Sequence, residues 1–254
     1  MPLSPRQSVE LFHLVFLRAL VAKGEDKALI ALKGGCNLRF YFGSVRHSED
    51  MDFDAAGIAK ATLGNKVERL LRSPLLTSPL RSRGVEITEV TAPKQTDTTQ
   101  RWKVGLKVPH ISAPLRTRLE FSRRDAIAEV AFEAVDAEVL RPYGVAQVLA
   151  THYTAGAAIA QKIRALAGRR EPQARDVFDL QLLLARPEAR ELSSGVLPAS
   201  LRQDALEHAR GLSFDQYRSQ VVAYLDPAQA APYEGQPAWA AMQEAVVERL
   251  RRGR

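Results

Sequence analysis

The sequence predicts an α+β chain: a mixed sheet with helices, followed by a C-terminal helical bundle. Three observations predict it. Apolar and polar residues alternate with period two in DMDFDA, GVEITEV, RWKVGLKV and LRTRLEF, all in the first half. Helical spacing of apolar residues takes over from about Pro142. Gly, Pro and Asp punctuate the segments between. The change of texture divides the chain into a sheet-bearing domain, residues 1–143, and a helical subdomain, residues 144–254.

Val9, Phe12, Phe16, Ala19 and Leu20 share one helical stripe, so a helix is expected from about Pro5 to Ala22. Glu10, His13 and Arg18 interrupt its apolar run, which is too short and too polar to span a bilayer. ALIAL, at Ala28 to Leu32, reads as a short strand, and GGCNLRFYFG as a turn opening into a short helix. The acidic strand follows, then a helix in IAKATLGNKVERLLRS. GVEITEV, RWKVGLKV and LRTRLEFS read as three strands, TAPKQTDTTQR as the clearest loop, and EVAFEAVDAEVL as one more strand. Beyond Pro142, VAQVLATHYTAGAAIAQKIRALAG, PQARDVFDLQLLLA, SLRQDALEHARG, SFDQYRSQVVAYL and AWAAMQEAVVERLRR all read as helices. The last, with Trp239 and a basic end in VVERLRRGR, is expected to close the bundle rather than to hold a partner.

A chain of 254 residues, 46% hydrophobic, can bury a sizeable core. The net charge of +7 points to a polyanionic partner or substrate, with simple solubility charge as the alternative. The single cysteine, Cys36, excludes an intrachain disulfide and fits a reducing cytoplasm. The N-terminus shows no signal peptide, and the five histidines show no metal-ligand spacing.

In a strand, Asp50, Asp52 and Asp54 share one face and Met51 and Phe53 the other. Carboxylates about 7 Å apart at i and i+2 repel each other unless a cation sits between them. A hard divalent ion, Mg2+ or Mn2+, takes oxygen ligands and often uses one or two protein carboxylates plus substrate phosphates. The alternative is a solvated edge strand. In LRTRLEF, Leu115, Thr117, Leu119 and Phe121 face one way and Arg116, Arg118 and Glu120 the other, which makes Glu120 a candidate third ligand. RWKVGLKV repeats the theme, with Trp102, Val104, Leu106 and Val108 inward and Lys103 and Lys107 outward. Carboxylates flanked by cations suit metal-bound phosphate chemistry, but an antiparallel sheet with one wet face has the same pattern. Gly34 and Gly35 stand ahead of a helix, where backbone without Cβ approaches phosphate oxygens and helical amides favour anions. An ordinary strand-to-helix turn would look alike. In the helical half, Lys162 would meet a triphosphate as a compact charge, with Arg169 and Arg170 further on. Asp176 and Asp179, at i and i+3, face one side of a helix. A surface lysine and a first-turn acid answering the helix dipole are the plainer readings.

Together, LKGGCNLRF, RHSEDMDFDA and AQKIRALAGRREPQARDVFDL resemble the AbiEii-type nucleotidyltransferases. These are toxin components of type IV toxin–antitoxin and abortive-infection systems, within the wider DNA polymerase β-like nucleotidyltransferase superfamily. Three motifs stand in the family's order: Gly-Gly, Ser-x-Asp-x-Asp, and Lys followed by Arg-Asp-x-x-Asp. The resemblance covers Ala28 to Leu184 and implies a nucleotidyltransferase-like sheet. It implies that Gly34 and Gly35 hold the incoming phosphates with Ser48 beside them. Asp50 and Asp52 would bind the divalent metal, and Glu120 would take the third carboxylate position, where the superfamily more often has Asp. Lys162 would neutralise the triphosphate, and Asp176 would be the late acid, with Asp179 structural. The catalytic set so implied is Asp50, Lys162 and Asp176.

The same resemblance implies transfer of a nucleotide from an NTP, in some members to tRNA, and a cognate antitoxin. On that basis Lys162 and one of Arg39 or Arg46 would hold the leaving pyrophosphate. Arg116, Arg118, Lys103, Lys107, Arg169 and Arg170 would bind the backbone of an RNA acceptor, with no membrane involved. Ser48 is expected to cap the strand entry, although a phosphate on it would block the site. A small-molecule nucleotidyltransferase acting on an aminoglycoside is opposed by the positive charge, since a cationic drug needs an acidic cleft. A non-catalytic nucleic-acid-binding regulator is opposed by the joint presence of Asp50, Asp52, Lys162 and Asp176.

Overall fold

The structure, a computed structural model, describes residues 3–22, 24, 27–191 and 197–252. Gly253 and Arg254, the end of the basic C-terminal stretch, lie outside them. The polypeptide divides into two compact units. The first holds the described residues up to Gly43 together with His47–Tyr153, the second Ser44–Arg46 together with Thr154 onward.

The first unit opens with α1, Pro5–Val21. Ser4 caps it in a reciprocal box with Gln7, and Pro5 fills the first turn, where its missing N–H costs nothing. Then come β1 (Ile30–Lys33), α2 (Gly34–Tyr41), β2 (Asp50–Ala55), α3 (Lys60–Arg72) and α4 (Pro74–Arg81). They are followed by β3 (Glu86–Gln95), β4 (Thr99–Lys107), β5 (Leu115–Arg123), β6 (Val130–Ala134), a single turn α5 (Ala137–Leu140) and β7 (Leu149–Tyr153). Among the described residues the strands form one seven-stranded sheet in the order β3-β4-β5-β2-β1-β7-β6. The sheet is mixed: β2 runs parallel to β5 and β1 parallel to β7, while the other neighbours are antiparallel.

Period-two alternation sorts the sheet into two faces. Met51, Phe53, Trp102, Leu119 and Phe121 are buried with Phe12 and Phe16 of α1 and with Leu63 and Val67 of α3. Phe53 stacks on Phe121 at 4.7 Å, and Trp102 meets Phe121 edge-on at 5.8 Å. Burying each such side chain contributes about 1.5–3 kcal/mol, so the alternate residues of β2, β4 and β5 are forced onto the other face.

Two local expectations are corrected. TAPKQTDTTQR is mostly strand, since β3 runs on to Gln95 and β4 starts at Thr99. Pro93 is tolerated because β3 is an edge strand with an irregular register between Thr91 and Lys94. The helix expected from Val145 begins as a strand. LATHY pairs with β1 and β6, and long-range pairing overrides the alanine-rich neighbourhood. The boundary expected after residue 143 thus precedes a strand that belongs to the first unit's sheet.

The second unit comprises α6 (Ala155–Gly168), α7 (Ala174–Leu184), α8 (Ala199–Gly211), α9 (Phe214–Gln220), α10 (Pro227–Ala230) and α11 (Gln236–Arg252). Thr154 caps α6. Leu166, Val177, Leu180, Ala205, Ala209 and Val246 are buried within it. Trp239 is also buried, stacked on Tyr217 at 4.7 Å, so the last helix packs in the bundle as expected. No helix among the described residues is long and apolar enough to cross a membrane.

Candidate active site

The wet face of the sheet gathers the predicted acids. Asp50 and Asp52 project from β2, and the parallel register places Asp50 beside Arg118 and Asp52 beside Glu120. On the other side of β2, Lys33 of β1 is the partner of Asp52. β4 continues the row, with Arg101 opposite Glu120 and Lys103 opposite Arg118. Three carboxylates are therefore set on adjacent strands, inside a ring of cations.

Gly34 closes one side. Its φ is +70°, a conformation that costs a non-glycine residue about 1–2 kcal/mol. A Cβ there would lie 3.0 Å from Asp52 Oδ2. Backbone and carboxylate thus approach as closely as the missing side chain allows. Gly35 follows in the first turn of α2, as expected. Ser48 donates its hydroxyl to the carbonyl of Asp50 at 2.8 Å, which gives it the strand-capping role.

The carboxylates are not idle. Asp50 Oδ2 lies 2.6 Å from Arg118 Nη2, and Glu120 Oε2 lies 2.6 Å from Arg101 Nε. Among the described residues no three His, Cys, Asp or Glu side chains stand together ready to hold a metal. The full three-carboxylate set, Asp50, Asp52 and Glu120, is aligned by register but not gathered. The donor chemistry of Asp50 and Asp52, with the close backbone at Gly34, fits a cation that takes two carboxylates and completes its shell with water and phosphate oxygens.

Asp54, on the same face, has a separate office. It is buried and bound by Lys33 at 2.5 Å, Arg124 at 3.1 Å and the Tyr153 hydroxyl at 2.7 Å. Beneath β2 lies a buried polar network that the sequence reading missed. His13 Nε2 meets Thr117 Oγ1 at 2.7 Å, and Thr117 donates to the carbonyl of Glu49 at 2.7 Å. Because that hydroxyl's proton is committed to Glu49, His13 must be the donor to Thr117. Burial depresses the His13 pKa to about 4 and keeps the ring neutral. Cys36 Sγ donates to the Asp50 carbonyl at 3.3 Å, and burial, then Asp52, raises its pKa. Glu10 binds Arg39 at 2.7 Å, Tyr143 at 2.7 Å and His47 at 3.3 Å. Burial alone would raise its pKa, but His47 and Arg39 outweigh it and hold the carboxyl at about 2. Arg39 is thereby engaged beneath the sheet.

The other expected phosphate-site residues belong to the second unit. Lys162 Nζ lies 3.0 Å from Asp176 and 2.6 Å from Asp179. Arg46 holds Asp179 at 3.2 Å, and Arg169 holds Asp176 at 3.2 Å. Both aspartates are fully buried. Burial depresses the Lys162 pKa, but Asp179 and Asp176 outweigh it and leave it raised. Asp179 moves oppositely: burial raises it, and Arg46 and Lys162 more than reverse that. Lys162 thus contacts both acids, Asp179 more closely than Asp176. Arg170 is exposed, as are Lys103, Lys107 and Arg116, although Arg116 is paired with Glu89 at 2.6 Å.

Sequence reasoning missed Arg101, Lys33 and the Glu10–His13 network. The period-two rule already placed Arg101 on the face of Lys103. The polar residues inside the apolar stripe of α1 were a signal for buried function rather than mere interruption.

Comparison with known proteins bears on the family and the fold. The family model described as nucleotidyl transferase AbiEii toxin, type IV toxin–antitoxin system, matches residues 15–252. The fold is similar to that of JHP933 from Helicobacter pylori, with a TM-score of 0.62 at 19% identity over 99% of this chain and 96% of that one. It is also similar to MenT4, a nucleotidyltransferase toxin from Mycobacterium tuberculosis H37Rv, with a TM-score of 0.58 at 16% identity over 98% and 86% of the two chains. No curated protein matches the sequence. The family match spans nearly the whole chain and both motif-bearing units, and the chain belongs to the AbiEii nucleotidyltransferase toxins of type IV toxin–antitoxin systems.

Proposed function

We propose that this toxin moves a nucleotide from an NTP to an RNA acceptor, tRNA being the class the resemblance implies, with a divalent cation on Asp50 and Asp52. The observation that carries the reading is the alignment of Asp52 with Glu120 across two parallel strands, with the Gly34 backbone brought close against the Asp52 carboxylate. A cation held there would neutralise the α-phosphate and polarise its P–O bond. The chain's own residues do the rest. The helix α2 N-terminus, with Gly34 and Gly35, receives phosphate oxygens. Glu120 takes the proton of the acceptor hydroxyl as that oxygen bonds to the α-phosphorus and pyrophosphate leaves. Lys162 is the proposed triphosphate cation, and Asp176, buried against it, is proposed to act through it rather than on substrate. Lys103, Lys107, Arg116 and Arg170 are the proposed RNA-backbone contacts, and the cytoplasm the proposed compartment. A toxin–antitoxin family implies an antitoxin partner.

The test is transfer of α-labelled NTP to total RNA, to isolated tRNA and to an aminoglycoside. The wild-type chain should label RNA, and Asp50→Asn with Asp52→Asn should not. Labelling of the drug alone would replace the acceptor. RNA binding without transfer of label would return the regulator reading.

A further inference from the structure

We propose that Arg118 holds the Asp50 carboxylate when no cation is bound and must release it when the cation arrives, so that cation and nucleotide load together and neither loads well alone. The inference rests on Asp50 and Asp52 being the cation's ligands, as read above.

Arg118 comes from β5, the strand beside β2, and Arg101 from β4, one strand further out; both lie on the sheet's wet face. Arg118 Nη2 is 2.6 Å from Asp50, and Arg101 Nε is 2.6 Å from Glu120. Such short, charge-assisted contacts are the strong class of hydrogen bond. Arg118 also leans toward Glu120, with its Nε 3.9 Å away. That Nε is buried and makes no hydrogen bond among the described residues. A guanidinium with a stranded donor gains by moving to a better acceptor. A divalent ion on Asp50 would sit about 2.1 Å from its oxygen, which places two cations around one carboxylate. The arginine is the one that can move, since only side-chain rotation is required. Phosphate oxygens suit its planar fork, including the donor now unused. A nucleotide that draws Arg118 away therefore tightens the cation, and by linkage the cation tightens the nucleotide by the same factor.

The experiment measures Mn2+ binding to the full chain by electron paramagnetic resonance, with and without an α,β-methylene NTP analogue. Arg118→Gln is compared with Lys94→Gln. Lys94, on β3 opposite Arg101, has no role in the proposed site and no carboxylate partner among the described residues, so its loss measures the bare charge effect. Without nucleotide, Arg118→Gln should bind Mn2+ about fivefold tighter than wild type and Lys94→Gln within about twofold, the scale of a partly exposed ion pair. The analogue should tighten Mn2+ strongly in wild type and much less in Arg118→Gln. Should Arg118→Gln not fold, Arg118→Lys, which keeps the charge and loses the fork, must show the same two changes in smaller degree. Equal Mn2+ affinity in Arg118→Gln and Lys94→Gln overturns the proposal. Asp50→Asn with Asp52→Asn separates the two levels. Wild-type Mn2+ affinity there removes the cation site itself, whereas its loss there leaves the site standing whatever Arg118 does.

Discussion

Gly34→Ala probes the site through backbone rather than charge. Gly34 has φ +70°, so alanine carries the left-handed cost of about 1–2 kcal/mol. Its Cβ would also stand 3.0 Å from Asp52 Oδ2, closer than a carboxylate tolerates without moving a few tenths of an ångström. Forcing Asp52 off its rotamer adds about 0.5–1.5 kcal/mol. Gly43→Ala supplies the control, because Gly43 has φ +72° but open space where its Cβ would go. Each kcal/mol should lower Tm by about 2–4 °C at this size. Gly43→Ala should therefore melt some degrees low with Mn2+ affinity unchanged. Gly34→Ala should melt slightly lower still and bind Mn2+ about tenfold more weakly, the usual effect of disturbing a ligand's support. Thermal unfolding and Mn2+ titration on the same samples read both quantities. If the two variants lose stability equally and Gly34→Ala keeps its Mn2+ affinity, the contact with Asp52 has no role in the site.

The remaining predictions concern the buried network. Thr117→Val removes the hydroxyl that joins His13 to the Glu49 carbonyl and should cost about 1–3 kcal/mol for each group left unpaired. Thr117→Ser keeps the hydroxyl and should restore most of it in urea unfolding; equal losses would show that the methyl packing matters instead. Acid should also weaken the fold. His13, depressed from 6.5 to about 4, stays neutral in the folded chain, so the unfolded chain binds its proton first and stability falls from pH 6.5 toward 4. Glu10, at about 2, contributes fully above its ordinary 4.5 and loses that contribution as pH falls toward 2. Each group is worth about 3 kcal/mol. A urea midpoint that stays flat between pH 7 and 4 would contradict the His13 assignment. Glu10→Gln should flatten the lower limb.

Period two was the informative signal for the sheet. It put Asp50 and Asp52 on one face, Glu120 on the matching face of its own strand and Trp102 inward, all of which the structure shows. Which strands are neighbours was not legible, because pairing of β2 with β5 joins residues far apart in sequence. LATHY read as helix for the same reason: its strand character comes from β1 and β6 and not from its own composition. Gly34 was legible as a glycine ahead of a helix, but its contact with Asp52 depended on the register between β1 and β2. Lys162, Asp176 and Asp179 were visible as charges at helical spacing. Their burial as one ion-paired cluster was not, since Arg46, distant in sequence, supplies one of its cations.

The arginines beside the carboxylates answer a folding problem before they answer a chemical one. Asp50, Asp52 and Glu120 lie on one face of adjacent strands, with Asp50 and Glu120 only 30% and 20% exposed. Like charges so placed repel, and the sheet must form before any nucleotide binds. Arg118 and Arg101, each beside its carboxylate by strand register, offset that repulsion from within the sheet. A substitution that removed the arginines would leave carboxylates better able to take a cation but a strand less able to pair without one. Stability in chelator and affinity for metal should therefore move in opposite directions in Arg118→Gln, which a site with inert arginines would not show.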